Sequence, residues 1–414
     1  MLKEIEVYKL KKSNVVILSL FLVAITALST FFVTTLLQVN TGDKVVISQS
    51  ALDSYQSFVD EYREVEELKN YIEQNYYKDV TDETLVEGMK KGIFEVLNDP
   101  YSVFMNGDEF KDYMESSSGE YPGIGIYLAP NDDNEIEIVS PIEDTPADRA
   151  GLIAKDLIIG VNGDTVNADV MDEAIATIKG EPGTPVTLTI YRPSNKEKFD
   201  VEIVREWIDI KVAKSRMLDD QIGYLRLTMF DEHAAAEFEK HMDALLKEGA
   251  KGVIIDLRQN PGGYLSQCVE IADRLLGEGM IVYTESRNGD DEEYTSDAAK
   301  YDAKIVVLVD GGSASASEIL TGALKDHKAA TIVGTTTFGK GIVQIVKPYN
   351  GETGFKLTTS EYFTPNGVNI HGVGIEPDVI VELDESYYEL ENPTDADDNQ
   401  LQKAIEIMNT ELGK

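Results

Sequence analysis

The sequence predicts an α/β core preceded by a helical N-terminal region and a mainly-β insert, with a membrane-crossing helix at the start. Three observations carry this reading. Residues 15–37 are 23 consecutive residues without a charge. Residues 119–207 break into short strands around glycine turns, and residues 208–385 alternate β-branched apolar runs with amphipathic helical stretches. At 414 residues the chain is long enough for two or three cores.

At about 1.5 Å per residue, the apolar run spans a hydrocarbon layer of about 30 Å. Lys3, Lys9, Lys11 and Lys12 precede it, so the positive-inside rule puts the N-terminus in the cytoplasm and the rest outside the cell membrane. The rival is a cleaved signal peptide, whose apolar region is usually about 7–15 residues before an A-x-A-like site. This run is longer and lacks a clear site, which favours a single-pass anchor over residues 1–39. In residues 40–118, Glu64, Leu68, Tyr71 and Ile72 recur at helical intervals, as do Leu85, Met89, Ile93 and Leu97. Asn98-Asp99-Pro100 stops the second of these helices. This part reads as a stalk or a dimerising platform, which puts a homodimer among the expected partners.

Residues 119–207 give a strand opened by Gly123-Ile124-Gly125-Ile126 and others near 135–139, 156–161, 186–191 and 199–203, with an amphipathic helix over 170–179. Together with Ser140-Pro141, Ala147, Ala150-Gly151-Leu152, Asp156-Leu157-Ile158 and Val161-Asn162-Gly163, this order resembles a PDZ domain. A glycine-rich turn leaves the amides of Ile124, Gly125 and Ile126 to receive a terminal carboxylate, and an extended peptide can add to the sheet edge. Ile124, Ile126, Ile175 and Ile178 are the candidate pocket for an apolar C-terminal side chain.

In residues 208–385, the apolar runs 252–257 and 304–309 read as buried strands, followed by helices over 265–276 and from Ser315 to about His327. Residues 386–414 close the chain with a helix over about 397–411.

Composition excludes several functions. The formal net charge is −38, so nothing here neutralises phosphates and nucleic acid is not an expected partner. The run Asp290-Asp291-Glu292-Glu293 reads as a solvated loop, since it lacks the ligand-and-glycine pattern of an EF-hand. The single cysteine, Cys268, allows no intramolecular disulfide and no multi-cysteine zinc site, and it reads as a small buried hydrophobe. His233, His241, His327 and His371 form no spaced motif, and H-E-x-x-H is absent. No metal or organic cofactor is expected.

Three segments are candidates for chemistry, each with a plain structural alternative. Gly311-Gly312-Ser313-Ala314-Ser315-Ala316-Ser317-Glu318 lies between a strand and a helix, so a serine would sit beside free amides and the positive helix end. Ser315-x-x-Glu318 also spells a capping box. In Thr337-Phe338-Gly339-Lys340-Gly341-Ile342-Val343-Gln344, strand alternation would put Lys340, Ile342 and Gln344 on one side. An exposed loop lysine is the alternative. Asp256-Leu257-Arg258-Gln259-Asn260-Pro261-Gly262-Gly263 offers glycine amides after a buried strand, or simply a tight turn.

Together the three segments, in this order after the PDZ-like block, resemble the C-terminal processing peptidases, also called tail-specific proteases. Thr364-Pro365-Asn366-Gly367, Gly374-Ile375-Glu376-Pro377-Asp378 and Asp99-Pro100-Tyr101-Ser102 add to the match. The resemblance implies a serine endopeptidase acting on unfolded or tail-exposed extracytoplasmic proteins. It assigns Ser315 as nucleophile, Lys340 as general base, Gln344 as its support, and Ala316 with Gly262 or Gly263 as oxyanion donors. Two departures stand out. Asp310-Gly311-Gly312 replaces the Asn-x-Gly of many relatives, and the C-terminal wall-binding module of several is missing. A lysine is a base only when neutral, so its reference pKa of about 10.4 must fall by about three pH units, about 4 kcal/mol, for work near neutrality. The rival reading is a non-catalytic PDZ adaptor. A more distant one is an acyl-CoA-type hydratase or hydrolase, for which no residue suggests a nucleotide pocket.

Overall fold

A computed structural model describes residues 11–40, 47–131, 133–390 and 393–414. The chain divides into two compact units, Met1–Gly88 and Met89–Lys414. Lys3 and Lys9, half of the basic flank, lie outside the described residues.

In the first unit, α1 is Lys12–Asn40. Residues 12–34 have a mean hydropathy of 2.5 and are long and apolar enough to cross a membrane. Ser48 caps α2 (Gln49–Asn75) by accepting from the Ala51 N–H at 3.2 Å. Nothing in α2 is buried, and Tyr55, Phe58, Tyr62 and Val65 stand exposed at helical spacing along it. Helix α3 (Asp82–Glu95) crosses into the second unit. It is the helix expected around Leu85 and Met89, and Asn98 at φ 53° ends its exit turn.

The second unit begins with β1 (Val103–Met105) and α4 (Gly107–Ser118), capped by the box Asn106–Glu109. The helical region expected over 40–118 is therefore interrupted by a strand, which pairs with Gly354, Phe355 and Lys356 of the core. Three residues are too few for periodicity to reveal. Next, β2 (Glu120–Gly123) leads into a mainly-β layer of β3 (Ile126–Pro130), β4 (Ile136–Pro141), α5 (Pro146–Arg149), β5 (Leu157–Val161), β6 (Asp164–Thr165), α6 (Met171–Ile178), β7 (Pro185–Arg192) and β8 (Glu197–Val204). The sheet order is β3-β4-β5-β7-β8 with β6 on β5, so β3 is an edge. Ile136, Ile138, Leu188 and Ile190 are buried at alternating positions, as one packed sheet face requires. The ribbon of β2 with β9 (Glu206–Asp209) closes this insert.

The core follows: β10 (Ala213–Met217), β11 (Ile222–Leu227), α7 (Ala234–Glu248), β12 (Gly252–Asp256), α8 (Leu265–Leu275), β13 (Gly279–Ser286), β14 (Glu292–Ser296), β15 (Lys304–Val309), α9 (Ala316–Asp326), β16 (Ala330–Gly334), β17 (Ile342–Tyr349), β18 (Thr353–Phe363), β19 (Val379–Ile380) and α10 (Asn399–Glu411). The main sheet runs β10-β11-β12-β15-β16-β19, parallel from β11 onward. Both faces are covered. Val253 and Ile255 pack toward Phe238, Ile271 and Leu320 of α7, α8 and α9, and Ile254 packs with Leu401, Ala404 and Met408 of α10. Each such side chain, fully buried, contributes about 1.5–3 kcal/mol. A second sheet, β1-β18-β13-β14 with β17 on β18, completes the core.

The acidic run is only partly a loop. Asp290 and Asp291 bend the β13–β14 hairpin, where Asp291 Oδ1 accepts from Ser286 N–H at 2.8 Å, but Glu292 and Glu293 belong to β14. Exposed edge strands carry charges readily, so composition misread this one as a loop.

Candidate active site

The three candidate segments are the loops leaving the carboxyl ends of β12, β15 and β16, which are consecutive parallel neighbours. In open α/β sheets that edge is where ligands are bound. A buried polar lattice joins the first two loops. Asn260, fully buried, accepts on its backbone oxygen from Ala314 N–H (3.0 Å) and from Ser317 Oγ (2.9 Å). Ser313 Oγ donates to the Leu257 carbonyl at 2.8 Å. Asp310 accepts from Gln259 N–H and Gly312 N–H, each at 2.9 Å. From the far side Arg258 grips both Asp256 and Asp398, and Asp398 starts α10 by accepting from Leu401 N–H. The glycine loop is thereby fixed to the core at both ends.

Ser315 sits at the N-terminus of α9 with φ 54° and ψ −115°. A non-glycine residue held there costs on the order of 1–3 kcal/mol, and such strain tends to collect at functional sites. The predicted capping box is present: the Glu318 carboxylate accepts from Ser315 N–H at 2.9 Å. Glu318 does more than cap. It is fully buried, and its two oxygens also accept from Thr337 Oγ1 (2.6 Å), Gly339 N–H (2.7 Å) and Lys340 N–H (2.8 Å). One carboxylate thus ties the serine loop to the lysine loop. The lysine loop is also held by the segments flanking it. Ile375 N–H donates to Thr337 Oγ1 at 2.7 Å and Gly372 N–H to the Gly339 carbonyl at 2.8 Å, while Tyr362 O–H holds the serine loop by donating to the Ser315 carbonyl at 3.2 Å.

Ser315, Ala316, Gly262, Gly263, Lys340 and Gln344 all line one cavity of about 540 Å³. Lys340 is half-buried, with Nζ 4.8 Å from the centre of the Tyr101 ring. Burial lowers its pKa, the positive charge of Lys356 lowers it further, and Asp99 and Glu318 oppose both. Among the described residues no hydrogen bond joins Lys340 Nζ to Ser315 or to Gln344. The expected alternation of Lys340, Ile342 and Gln344 is interrupted by a bulge between Val343 and Gln344. Gln344 Nε2 instead donates to the Ile342 carbonyl and Thr358 Oγ1, both at 3.3 Å.

The two glycines differ. Gly262 N–H is occupied by Asn260 Oδ1 at 2.9 Å, whereas Gly263 N–H and Ala316 N–H have no acceptor among the described residues. No other residue fits at either glycine. A Cβ on Gly262 (φ 97°) would lie 2.8 Å from Ala316 N, and one on Gly263 (φ 147°) would lie 2.2 Å from the Phe230 carbonyl oxygen.

The cavity wall holds residues that sequence reasoning missed: Tyr113, Asp231, Lys356 and Tyr362. Asp231 Oδ2 is buried without a hydrogen bond, and burial raises the pKa of its carboxyl group. None of these lies in a glycine- or serine-rich motif, which is why pattern alone passed over them.

Ile124, Gly125, Ile126, Ile175 and Ile178 line a second cavity of about 350 Å³ between the edge strand β3 and α6. Ile126 and Ile175 are partly exposed to it, while Ile124 and Ile178 are buried in the core of the insert. Tyr121 enters this groove as well. Burial pushes its hydroxyl up to about 12, the nearby Tyr127 adds to that, and the Ile126 amide directed at it opposes both. The Tyr121 hydroxyl thus lies beside the Ile126 amide of the glycine turn.

Three family models match: Peptidase family S41 over residues 221–381, PDZ domain over 122–203, and Activating protease CtpB N-terminal domain over 23–109. A carboxy-terminal-processing protease of Bartonella bacilliformis is 40% identical over 321 residues, covering 74% of this chain and 72% of that one. Carboxy-terminal processing protease CtpA of Bacillus subtilis is 37% identical over 365 residues, covering 88% and 77%. A solved S41 protease structure from Bacteroides fragilis shares the fold with a TM-score of 0.54 at 15% identity, over 83% of this chain and 96% of that one. The α/β core, the PDZ insert and the helical N-terminal region therefore belong to a serine-type carboxy-terminal processing protease of peptidase family S41.

Proposed function

We propose that this protease is anchored by α1, faces the extracytoplasmic side, and cuts proteins whose C-terminal tails its PDZ domain captures, using a Ser315–Lys340 dyad. The observation that carries the dyad is convergence: a strained serine at a helix start, a half-buried lysine and two unoccupied amides line one cavity. Neutral Lys340 takes the Ser315 proton as Oγ attacks the scissile carbonyl carbon. Gly263 and Ala316 N–H groups hold the oxyanion, Gly262 being committed to Asn260. Collapse of the tetrahedral species breaks the C–N bond, and the Lys340 ammonium returns the proton to the leaving amine. Water, deprotonated by the same amine, then releases the acyl group from Ser315. Gln344, pinned through Nε2 to Thr358, has its Oε1 available to steady the lysine amine. Catalytic hydrogen bonds are commonly long before substrate arrives, so the Ser315–Lys340 contact closes on binding.

Residues 119–207 serve as the tail-binding domain and 208–385 as the catalytic one. In the groove beside β3 a peptide would add as a further strand, with its carboxylate on the turn at residues 124–126, displacing the Tyr121 hydroxyl, and its apolar end on Ile126 and Ile175. Converting the C-terminal carboxylate of an unfolded substrate to an amide should therefore raise its KM about tenfold or more for the full-length protease. Equal kinetics for acid and amide would remove carboxylate recognition. For the anchor, protease added to intact cells should digest everything after about Asn40. A mature chain beginning beyond α1 would mean processing as a signal peptide instead.

A further inference from the structure

Lys356 is a second lysine in the catalytic cavity, and the dyad by itself gives it no task. It lies on β18 opposite Val346 of β17 and Val103 of β1, two residues before Thr358, the partner of Gln344. Its side chain is half-buried and lines the same cavity as Ser315 and Lys340, with Nζ 5.4 Å from the Tyr113 ring centre. No ion pair holds it among the described residues. The anion acting on it is Asp99, whose position is fixed. Asp99 Oδ1 accepts from Tyr101 N–H at 2.9 Å and Oδ2 from Ser102 Oγ at 2.6 Å, while Ser102 Oγ accepts from Thr358 N–H at 2.9 Å. The Asp99-Pro100-Tyr101-Ser102 turn, which the sequence singled out without a role, thus braces β18 beside both lysines and lays the Tyr101 ring under Lys340.

We propose that Lys356 is a positioning residue of the peptidase reaction, whose ammonium charge keeps the neighbouring Lys340 amine in its neutral, proton-accepting form. A nearby cation is one of the standard ways a lysine is activated near neutral pH. Two half-buried ammonium groups in one cavity repel each other, so one loses its proton first. Burial and this mutual repulsion act on both, and Lys340 is the one the reaction uses, because the Glu318 carboxylate accepts from the backbone N–H groups of both Lys340 and Ser315 and so holds their loops together. The charged and titratable groups around Lys340 are Lys356 on β18, Glu318 on α9, and Asp99 and Tyr101 on the turn before β1. His371 acts on Asp99 from the loop beyond β18.

This inference rests on the dyad reading, and one experiment separates the two. The full-length protease is assayed for kcat/KM between about pH 5 and 10 on an internally quenched unfolded peptide with an apolar C-terminus. Lys356→Gln should move the acidic limb upward by about one pH unit, so that activity on the limb falls about tenfold while the alkaline plateau largely recovers. Lys356→Met, a second neutral variant, should shift it the same way and guards against a folding defect in the first. Lys356→Arg should keep the limb near the wild-type position, and His371→Gln should leave it in place. An unmoved limb in the folded neutral variants overturns the proposal, and with a raised KM it makes Lys356 a substrate-anion anchor instead. A wild-type profile without a limb, or turnover surviving Lys340→Ala, would bring down the dyad and this inference together.

Discussion

Ser315→Ala should abolish peptide hydrolysis, with kcat falling about 10⁴-fold or more, while Ser313→Ala and Ser317→Ala keep measurable turnover. The three serines are chemically identical and two residues apart, so the difference comes from where each hydroxyl points. Ser313 and Ser317 are fully buried, and their hydroxyls donate to the Leu257 and Asn260 carbonyls. They fasten the serine loop to the glycine loop. Removing either hydroxyl leaves a buried carbonyl short of a donor and should cost about 1–3 kcal/mol of stability, visible as a lower Tm. Ser315 alone of the three lines the cavity, so its loss should cost no more stability than the loss of a helix cap, about 0.5–2 kcal/mol. Near-normal hydrolysis by purified Ser315→Ala would refute the assignment.

Lys340→Ala and Lys340→Arg should both lose about 10³-fold or more in kcat, and they should part company in stability. Burial, with the charge of Lys356 behind it, lowers the folded-state pKa of Lys340 from its ordinary 10.5. Between the lowered folded value and the unfolded value, the native state binds fewer protons than the unfolded chain. Stability therefore rises with pH across that window, and the penalty for burying a charge is felt below it. Lys356, also lowered by burial, adds a contribution of the same sign. In Lys340→Ala the pH dependence of Tm should flatten, because one of the two contributions is gone. Lys340→Arg carries its charge at every pH, so its deficit relative to wild type should grow as pH rises. Thermal melts of the three proteins from about pH 6 to 10 make this comparison. A steep rise of Tm with pH that survives unchanged in Lys340→Ala would mean that Lys340 does not carry the lowered pKa.

Much of the architecture was legible because strand and helix periods are strong where one or both faces are buried. The run Lys304–Val309 and the helices α8, α9 and α10 lie within two residues of the expected bounds. The strands of the PDZ insert were equally readable, since residues such as Ile136, Ile138, Leu188 and Ile190 alternate cleanly. What escaped has two causes. The β13–β14 hairpin and the bulge before Gln344 are local pairings hidden by exposed charge and by a one-residue register shift, while β1 is set by β18, far away in sequence, a pairing no local pattern encodes. The same holds for the site. Glycine- and serine-rich motifs announce the loops, but the groups around Lys340 come from Asp99, Tyr101 and Lys356, brought together only by β18. Glu318 was readable as a cap, and its second task, holding the lysine loop, needed coordinates.

The central claim, that Lys340 activates Ser315, is tested most directly by covalent labelling. The wild-type protease is treated with a fluorophosphonate near neutral pH, digested, and mapped by mass. The account predicts one modified residue, Ser315, with a labelling rate that rises with pH. It predicts at least a hundredfold slower labelling in Lys340→Ala, although the Ser315 hydroxyl is still present there. Modification of a different serine, or labelling of Ser315 at an undiminished rate without Lys340, would contradict it.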